Sequence, residues 1–456
     1  MTIRLLSLLA FTISATFAEK PNIILFYADD LGYTDLSCQG SKFYETPNID
    51  RIAKEGTTFT HAYAGAANCA PSRACLMTGT YSPRHGVFTV GNSDRGKAAD
   101  RKLIPIKNTT ILDPKFTTIA EALKTRGYQT CVAGKWHLTK DPTQDGFDTN
   151  FGGTTWGHPK SYFSPYKNPY LKDGPKGEHL PERLGREVAN WIKNSKDKPF
   201  FVYLPFYSVH TPIQATKELT KKYAAKKTDG RHNNPKYAAM IESMDSAVGH
   251  ILDTLDDLEI AKDTLVIFTS DNGPHGTYSG ADPLRGSKGM YYEGGIREPF
   301  LVRFPGRTPE GQKNESVISQ IDLFPTFLEL AGARIDPKLD GVSLLPALHG
   351  ETMPERAIFW HFPAYLQGYS KGSGSASKYF RTTPCGVIRK GDWKLIQYFE
   401  DNSLELYNLA NDLSETTNLA KENPDKAEEL FEELQEWQAK TKAPIPTEKN
   451  PQYRER

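Results

Sequence analysis

Short apolar runs rich in Val, Ile, Phe and Tyr alternate with helical stretches over residues 21–304. NIILFY leads into TPNIDRIAKEG, and TTFTHAY into SRACLMTG; FTTIAEALKTRG is followed by YQTCVAG; FFVYL precedes a helical periodicity over 237–258; TLVIFTS closes the series. Strands apolar on both sides, spaced by amphipathic helices, predict an α/β fold: a large mixed, mostly parallel sheet between helices. In such sheets ligands gather beyond the carboxyl ends of the strands, so polar residues that follow an apolar run are the first candidates for chemistry.

The texture changes after a helix over 321–331 and a loop over 341–350. CGVIRKGDWKLIQYFEDNSLELYNL reads as strands and turns, and a polar amphipathic helix covers 424–441. These predict a smaller antiparallel sheet with a terminal helix. The expected organisation is therefore a large α/β domain over 19–345 and a smaller C-terminal α+β domain over 346–456. The Gly/Ser-rich stretch 369–380, YSKGSGSASKYF, reads as a loop at a surface or cleft rim, and there is no internal repeat.

The first residues, MTIRLLSLLAFTISATFA, carry one positive charge at Arg4, an apolar stretch over 5–13 and small residues ending at Ala18. That is the pattern of a signal peptide over 1–18, and it predicts export to the periplasm or the medium. The apolar stretch is too short to cross a bilayer and no second one follows, so no membrane span is expected. With 56 basic and 55 acidic residues, net charge supplies no attraction to nucleic acid or acidic membrane. The five cysteines, at 38, 69, 75, 131 and 385, are too scattered for a disulfide framework, although an exported chain permits one or two bridges.

Asp29 and Asp30 end the run NIILFYADD, where a strand emerges at the ligand-binding edge. Adjacent carboxylates repel unless a cation lies between them; alone, such a pair also marks a solvated turn. TLVIFTSDNG repeats the pattern with Asp271 and Asn272 at a strand end and Gly273 for a sharp turn. These four residues offer only hard oxygen ligands, which suit Ca²⁺ or Mg²⁺ and not zinc, with Ca²⁺ favoured by ligand count. In CAPSRACLMTG, Pro71 suits the first turn of a helix and places Cys69 just ahead of its N-terminus, where free N–H groups attract anions, with Arg73 one turn on. Lys135 and His137 follow the strand YQTCVAG, two positions apart and facing one way. His210 follows FFVYLPFYSVH, and Lys288 lies in RGSKGMYYEGGIREP.

Cys-x-Pro-Ser-Arg followed by Thr-Gly resembles the signature of the formylglycine-dependent sulfatases of the alkaline-phosphatase superfamily. The resemblance continues through GKWH, SDNG and EGGIREP to GDWKLI and LELYNL, over nearly the whole chain after residue 18. It implies that Cys69 is oxidised to Cα-formylglycine by a maturation enzyme, and that Asp29, Asp30, Asp271, Asn272 and the modified Cys69 hold a divalent cation. The hydrated aldehyde would attack sulfur, with Arg73 holding the diol in place and Lys135 and Lys288 neutralising the sulfate oxygens. His210 would protonate the departing alcohol, and His137 would take a proton from the second hydroxyl to release sulfate.

The aromatic and Pro-rich segment 154–170 presents Trp156, His158 and Tyr162 as candidates for stacking on or hydrogen-bonding a sugar, and His361 and Arg381 form a candidate opposite lip. With export, this predicts hydrolysis of sulfate esters on polysaccharide-derived sugars, with a galactose-type substrate suggested by the loop texture. Two other readings compete: a phosphonate monoester or phosphodiester hydrolase of the same superfamily, and a non-catalytic glycan-binding pseudoenzyme, which the intact set of basic residues argues against.

Overall fold

The computed structural model describes residues 20–368 and 375–455. The expected signal peptide and residues 369–374 of the Gly/Ser-rich loop lie outside the described residues. The centre is an eight-stranded sheet built from β1 (Asn22–Ala28), β2 (Thr57–Tyr63), β3 (Gln129–Ala133), β4 (Thr149–Phe151), β5 (Phe200–Pro205), β6 (Thr264–Ser270), β7 (Phe300–Arg303) and β8 (Gln312–Ser319). Their order is β4-β3-β5-β1-β6-β7-β2-β8. Every neighbouring pair is parallel except the two made by β7, which runs against β6 and β2. The sheet is thus mixed and mostly parallel, as the alternation of runs predicts.

β1 shows why its residues read as continuously apolar. Ile24, Phe26 and Ala28 enter one core with the helices Leu180–Ser195 and Pro235–Asp257. Ile23, Leu25 and Tyr27 enter the opposite core with the helices Cys69–Thr78, Ile119–Lys124 and Leu323–Leu330. Successive side chains of a strand point to opposite faces, and both faces here are covered, so the run is apolar throughout except where a polar atom finds a buried partner, as Asn22 does in Thr264 and the Tyr27 hydroxyl in Gln320. The helix Leu180–Ser195, β7 and β8 are not among the elements read from the sequence. Charged residues interrupt the apolar positions of the helix, and the outer end of β8 is exposed from Gln312 to Lys313.

The C-terminal region forms an antiparallel sheet of β9 (Ala357–Phe362), β12 (Cys385–Lys390), β13 (Trp393–Tyr398) and β14 (Leu404–Asn408), in the order β14-β13-β12-β9. A two-stranded ribbon pairs β10 (Leu366–Gln367) with β11 (Phe380–Thr382). The expected terminal helix spans Pro424–Thr441, and Trp437 stacks on Phe359 with ring centroids 4.7 Å apart. Burying Leu430 and Leu434 of this helix contributes about 1.5–3 kcal/mol each. Among the described residues no helix is long and apolar enough to cross a membrane. All five cysteines are free thiols, Cys38 exposed and the other four buried.

Candidate active site

The carboxyl ends of β1 and β6, adjacent in the sheet, deliver their polar residues to one point. Asp29, Asp30, Asp271 and Asn272 are all fully buried. Asp30 sits in the left-handed region at φ 61°, a conformation that Asp tolerates better than most residues. Its carbonyl accepts a hydrogen bond from the Tyr237 hydroxyl at 3.0 Å, and Tyr237 also donates to Asp35 at 2.9 Å, so the long helix behind the sheet pins this turn. Gly273 is required for a reason other than the expected turn: its φ is not positive, but a Cβ would lie 1.9 Å from the Gly294 carbonyl oxygen.

Cys69 is the first residue of its helix, with Asn68 as N-cap, and not a residue ahead of it as expected. Its unmodified Sγ lies 3.0 Å from Lys288 Nζ, 3.6 Å from Asp29 Oδ1 and 3.9 Å from Asp30 Oδ1. Burial pushes the thiol up to about 12, against the pull of Lys135 and Lys288, so as a plain cysteine it is a poor nucleophile at neutral pH.

Three cations answer the three carboxylates. Arg73 donates to Asp271 Oδ2 through Nε and Nη2, at 3.1 and 2.7 Å, and to the Lys135 carbonyl at 2.8 Å. Lys135 Nζ lies 2.7 Å from Asp29 Oδ2, and Lys288 Nζ 2.7 Å from Asp30 Oδ1. His210 Nε2 approaches Asp30 Oδ2 at 3.7 Å, with burial first and Lys288 second pushing the ring down to about 4. Burial and then Lys135 hold His137 well below the usual imidazole range, and its Nδ1 is buried without a hydrogen-bond partner.

The residues present fit a hard divalent cation. Ligand atoms of Asp29, Asp30, Cys69 and His210 lie within 4.8 Å of one another, and the buried Asn272 Oδ1 has no partner. Burial pushes Asp29 up to about 6 despite Lys135, the mark of a carboxylate short of positive charge. Both oxygens of Asp271 are already engaged by the protein, since Oδ1 accepts from the Asp30 N–H at 3.1 Å and Oδ2 is held by Arg73.

A cleft of about 230 Å³ opens over this floor, lined by Cys69, His137, His210 and Lys288 and rimmed by His158, Arg381, Arg95 and His275. His158 and Arg381 therefore stand where expected. Trp156 is partly exposed but does not line the cleft; its ring carries Lys160 Nζ at 4.9 Å. Two expectations need correction. Tyr162 is fully buried, its hydroxyl donating to the carbonyls of Tyr207 and His210, so it supports the His210 segment and does not meet a ligand. His361 is buried in β9 with Nε2 donating to the Pro444 carbonyl at 3.0 Å. Both carry aromatic rings that the core needed. Arg95 and His275 were missed: the polar stretch Gly-Asn-Ser-Asp separates Arg95 from the short run VFTV, while the position of His275 just after SDNG was a usable signal.

A mostly parallel α/β sheet whose strand ends present paired carboxylates, flanking lysines and a helix-borne nucleophile position defines a hydrolase of the alkaline-phosphatase superfamily. The family model described as Sulfatase matches residues 21–333, and one described as N-sulphoglucosamine sulphohydrolase, C-terminal, matches residues 286–443. The chain belongs to the sulfatase family and is a sulfuric ester hydrolase. It is 37% identical to a sulfatase of Formosa agariphila over 93% of this chain and 90% of that protein. It is 33% identical to the N-acetylgalactosamine-6-sulfatase of Homo sapiens over 82% of this chain and 74% of that one. The solved structure of Ps i-CgsB in complex with k-i-k-neocarrahexaose matches with a TM-score of 0.75 at 30% identity, over 92% of this chain and 93% of that one.

Proposed function

We propose that this enzyme is an exported carbohydrate sulfatase that cleaves S–O bonds with a formylglycine made from Cys69. The observation that carries the reading is the position of Cys69: its side chain lies in the cleft between Lys288 and the Asp29–Asp30 pair. The relatives that act on, or are complexed with, sulfated sugars support the carbohydrate part. So does the rim, whose His and Arg side chains suit a hydroxylated, anionic ligand better than an apolar one.

Asp29, Asp30, Asp271, Asn272 and the modified Cys69 would hold the cation, Ca²⁺ or Mg²⁺, which supplies charge neutralisation and a lowered pKa for an oxygen on residue 69. Arg73 fixes Asp271 and orients the first turn of the nucleophile helix. Lys135 and Lys288 offset charge on the sulfate oxygens as it spreads. His210 would deliver a proton to the departing alcohol once the anionic substrate beside it offsets the burial and the Lys288 charge that hold its ring down, and the neutral His137 would accept one from the second hydroxyl of the hydrated aldehyde, releasing sulfate by C–O cleavage. A Ser or Cys lacks that second hydroxyl and would remain sulfated, which accounts for the modification and requires a maturation enzyme. With the expected boundary at residues 345 and 346, which falls within the short helix Leu345–Leu348, all these groups would belong to the larger domain and Arg381 to the smaller.

The test is sulfate release, by ion chromatography, from sulfated galactose, N-acetylgalactosamine, glucosamine and fucose glycans, using protein with formylglycine at position 69 verified by mass spectrometry. Release that disappears in Cys69→Ala is the expected result. Absence of release, with alcohol freed from a model phosphodiester, overturns it in favour of phosphoester hydrolysis; glycan binding without turnover of either overturns it in favour of a pseudoenzyme.

A further inference from the structure

The segment that follows β4 packs against both His137 and His210. The Thr154 carbonyl accepts the His137 N–H at 2.8 Å, and the Tyr162 hydroxyl donates to the His210 carbonyl at 2.8 Å. Between these two anchors, Gly157 and His158 line the cleft. His137 sits in the left-handed region at φ 63°, and its Nδ1 finds no hydrogen-bond partner. Hydrogen bonding at that atom does not fix the rotation of the ring, so packing has to.

The three heavy atoms nearest to a Cβ placed on Gly157 all belong to the imidazole of His137: Cε1 at 2.8 Å, Nε2 at 3.0 Å and Nδ1 at 3.6 Å. The φ of Gly157 is not positive, so space and not backbone conformation demands glycine here. The edge of the ring that carries both nitrogens therefore lies against bare main chain. A methyl group at 157 would stand on the edge through which the ring accepts a proton, and the ring would have to turn. We infer that Gly157 is a positioning residue for His137, keeping the imidazole where it takes the proton whose removal releases sulfate. The inference rests on the carbohydrate sulfatase reading and adds to it a residue that acts through the general base.

The test is a double-mutant cycle of Gly157→Ala and His137→Ala in protein with formylglycine at position 69, with free sugar and sulfate both measured after rapid quenching. Misplacing a catalytic group by about 1 Å costs about 10² in rate, so Gly157→Ala should lower kcat by that factor. His137 acts after the S–O bond has broken, so the variant should release about one sugar per enzyme in a burst, with sulfate lagging further behind than in the wild type. In the His137→Ala protein the same change should add nothing, since the ring it displaces is gone. The methyl first meets the end of a side chain, so the urea midpoint should stay at the wild-type value. Wild-type kcat in Gly157→Ala, a lower kcat without the sugar burst, or a further loss in the His137→Ala background overturns the inference. A crystal structure of Gly157→Ala with Cys69 unmodified reads the ring directly: the His137 imidazole should be turned from its wild-type place, and an unmoved ring overturns the inference. Failure of the underlying reading looks different: wild-type protein with formylglycine in place would release neither sugar nor sulfate, while the crystal structure would still decide whether Gly157 sets the ring.

Discussion

Two clusters of buried charge differ in what their surroundings leave unsatisfied. The first is the floor of the cleft, where Asp29, Asp30 and Asp271 meet Arg73, Lys135 and Lys288. The second joins the two sheets. Lys394 of β13 lies 3.1 Å from Glu293 and 2.8 Å from Glu415, Tyr63 donates to Glu293 at 2.7 Å, and Arg297 Nη1 lies 3.4 Å from the same carboxylate. Arg389 of β12 donates to the Tyr63 hydroxyl. Both clusters are buried, and the second also leaves a donor, Arg389 Nε, without a partner, but none of its charged groups lines the cleft over Cys69. The first leaves Asn272 Oδ1 and His137 Nδ1 without partners and aligns its ligand atoms on a shared point. Charge buried away from the cleft fastens a fold, whereas charge gathered beneath a cleft, with acceptors left over, binds something.

Substitution in the fastening cluster should give the largest effect on stability. Lys394→Met leaves Glu293 and Glu415 facing each other in the interior, where burial already pushes Glu415 up to about 7 against the pull of Lys394. Breaking such a pair costs about 3–5 kcal/mol, to be read from urea unfolding, while kcat per folded molecule stays at the wild-type value. If kcat falls as far as stability does, the division between the two clusters is wrong.

Lys135→Ala tests the other side. Loss of one preorganised donor to developing charge should lower kcat by about 10²–10³, with a smaller change in unfolding midpoint than Lys394→Met gives. A third measurement is divalent-cation removal. Chelation should lower the stability of the wild type, and Ca²⁺ at 100 times its Kd should restore about 2.7 kcal/mol. Asp30→Asn should weaken that response and Lys394→Met should keep it; a thermal-shift titration reads both.

The smallest effect concerns pH. Burial pushes His361 in β9 down from 6.5 to about 4. The unfolded chain therefore binds more protons between those values, so this histidine contributes stability that is present above pH 6.5 and lost as pH falls toward 4. Between pH 6.5 and 5 its share is about 2 kcal/mol. His361→Gln, which keeps a donor for the Pro444 carbonyl, should flatten that part of the stability profile, and an unchanged slope would refute the assignment.

Much of the site was legible because the strand-end rule is local. A run such as NIILFYADD specifies both a strand covered on both faces and the polar pair at its end, and the same holds for TLVIFTSDNG and for the lysine and histidine after YQTCVAG. Arg95 was illegible for the converse reason, since the polar stretch Gly-Asn-Ser-Asp separates it from the run VFTV and its loop is placed by a pairing far away, at Tyr365. Tyr162 and His361 mark a different limit: an aromatic residue satisfies a core and a ligand equally well, and only three-dimensional packing selects between them.

The chain's pattern of apolar and polar positions was enough to specify a doubly covered, mostly parallel sheet, a smaller antiparallel one, and the residue types that gather at the carboxyl edge. Those features depend on side-chain periodicity and on contacts close in sequence. Which of two buried charge clusters lies under the cleft, which rings face a ligand, and which arginines line the cleft depend on contacts between residues about a hundred positions apart, such as Lys394 with Glu293 or Arg381 with Lys288. Burial and pairing are properties of those long-range contacts, and no local pattern encodes them.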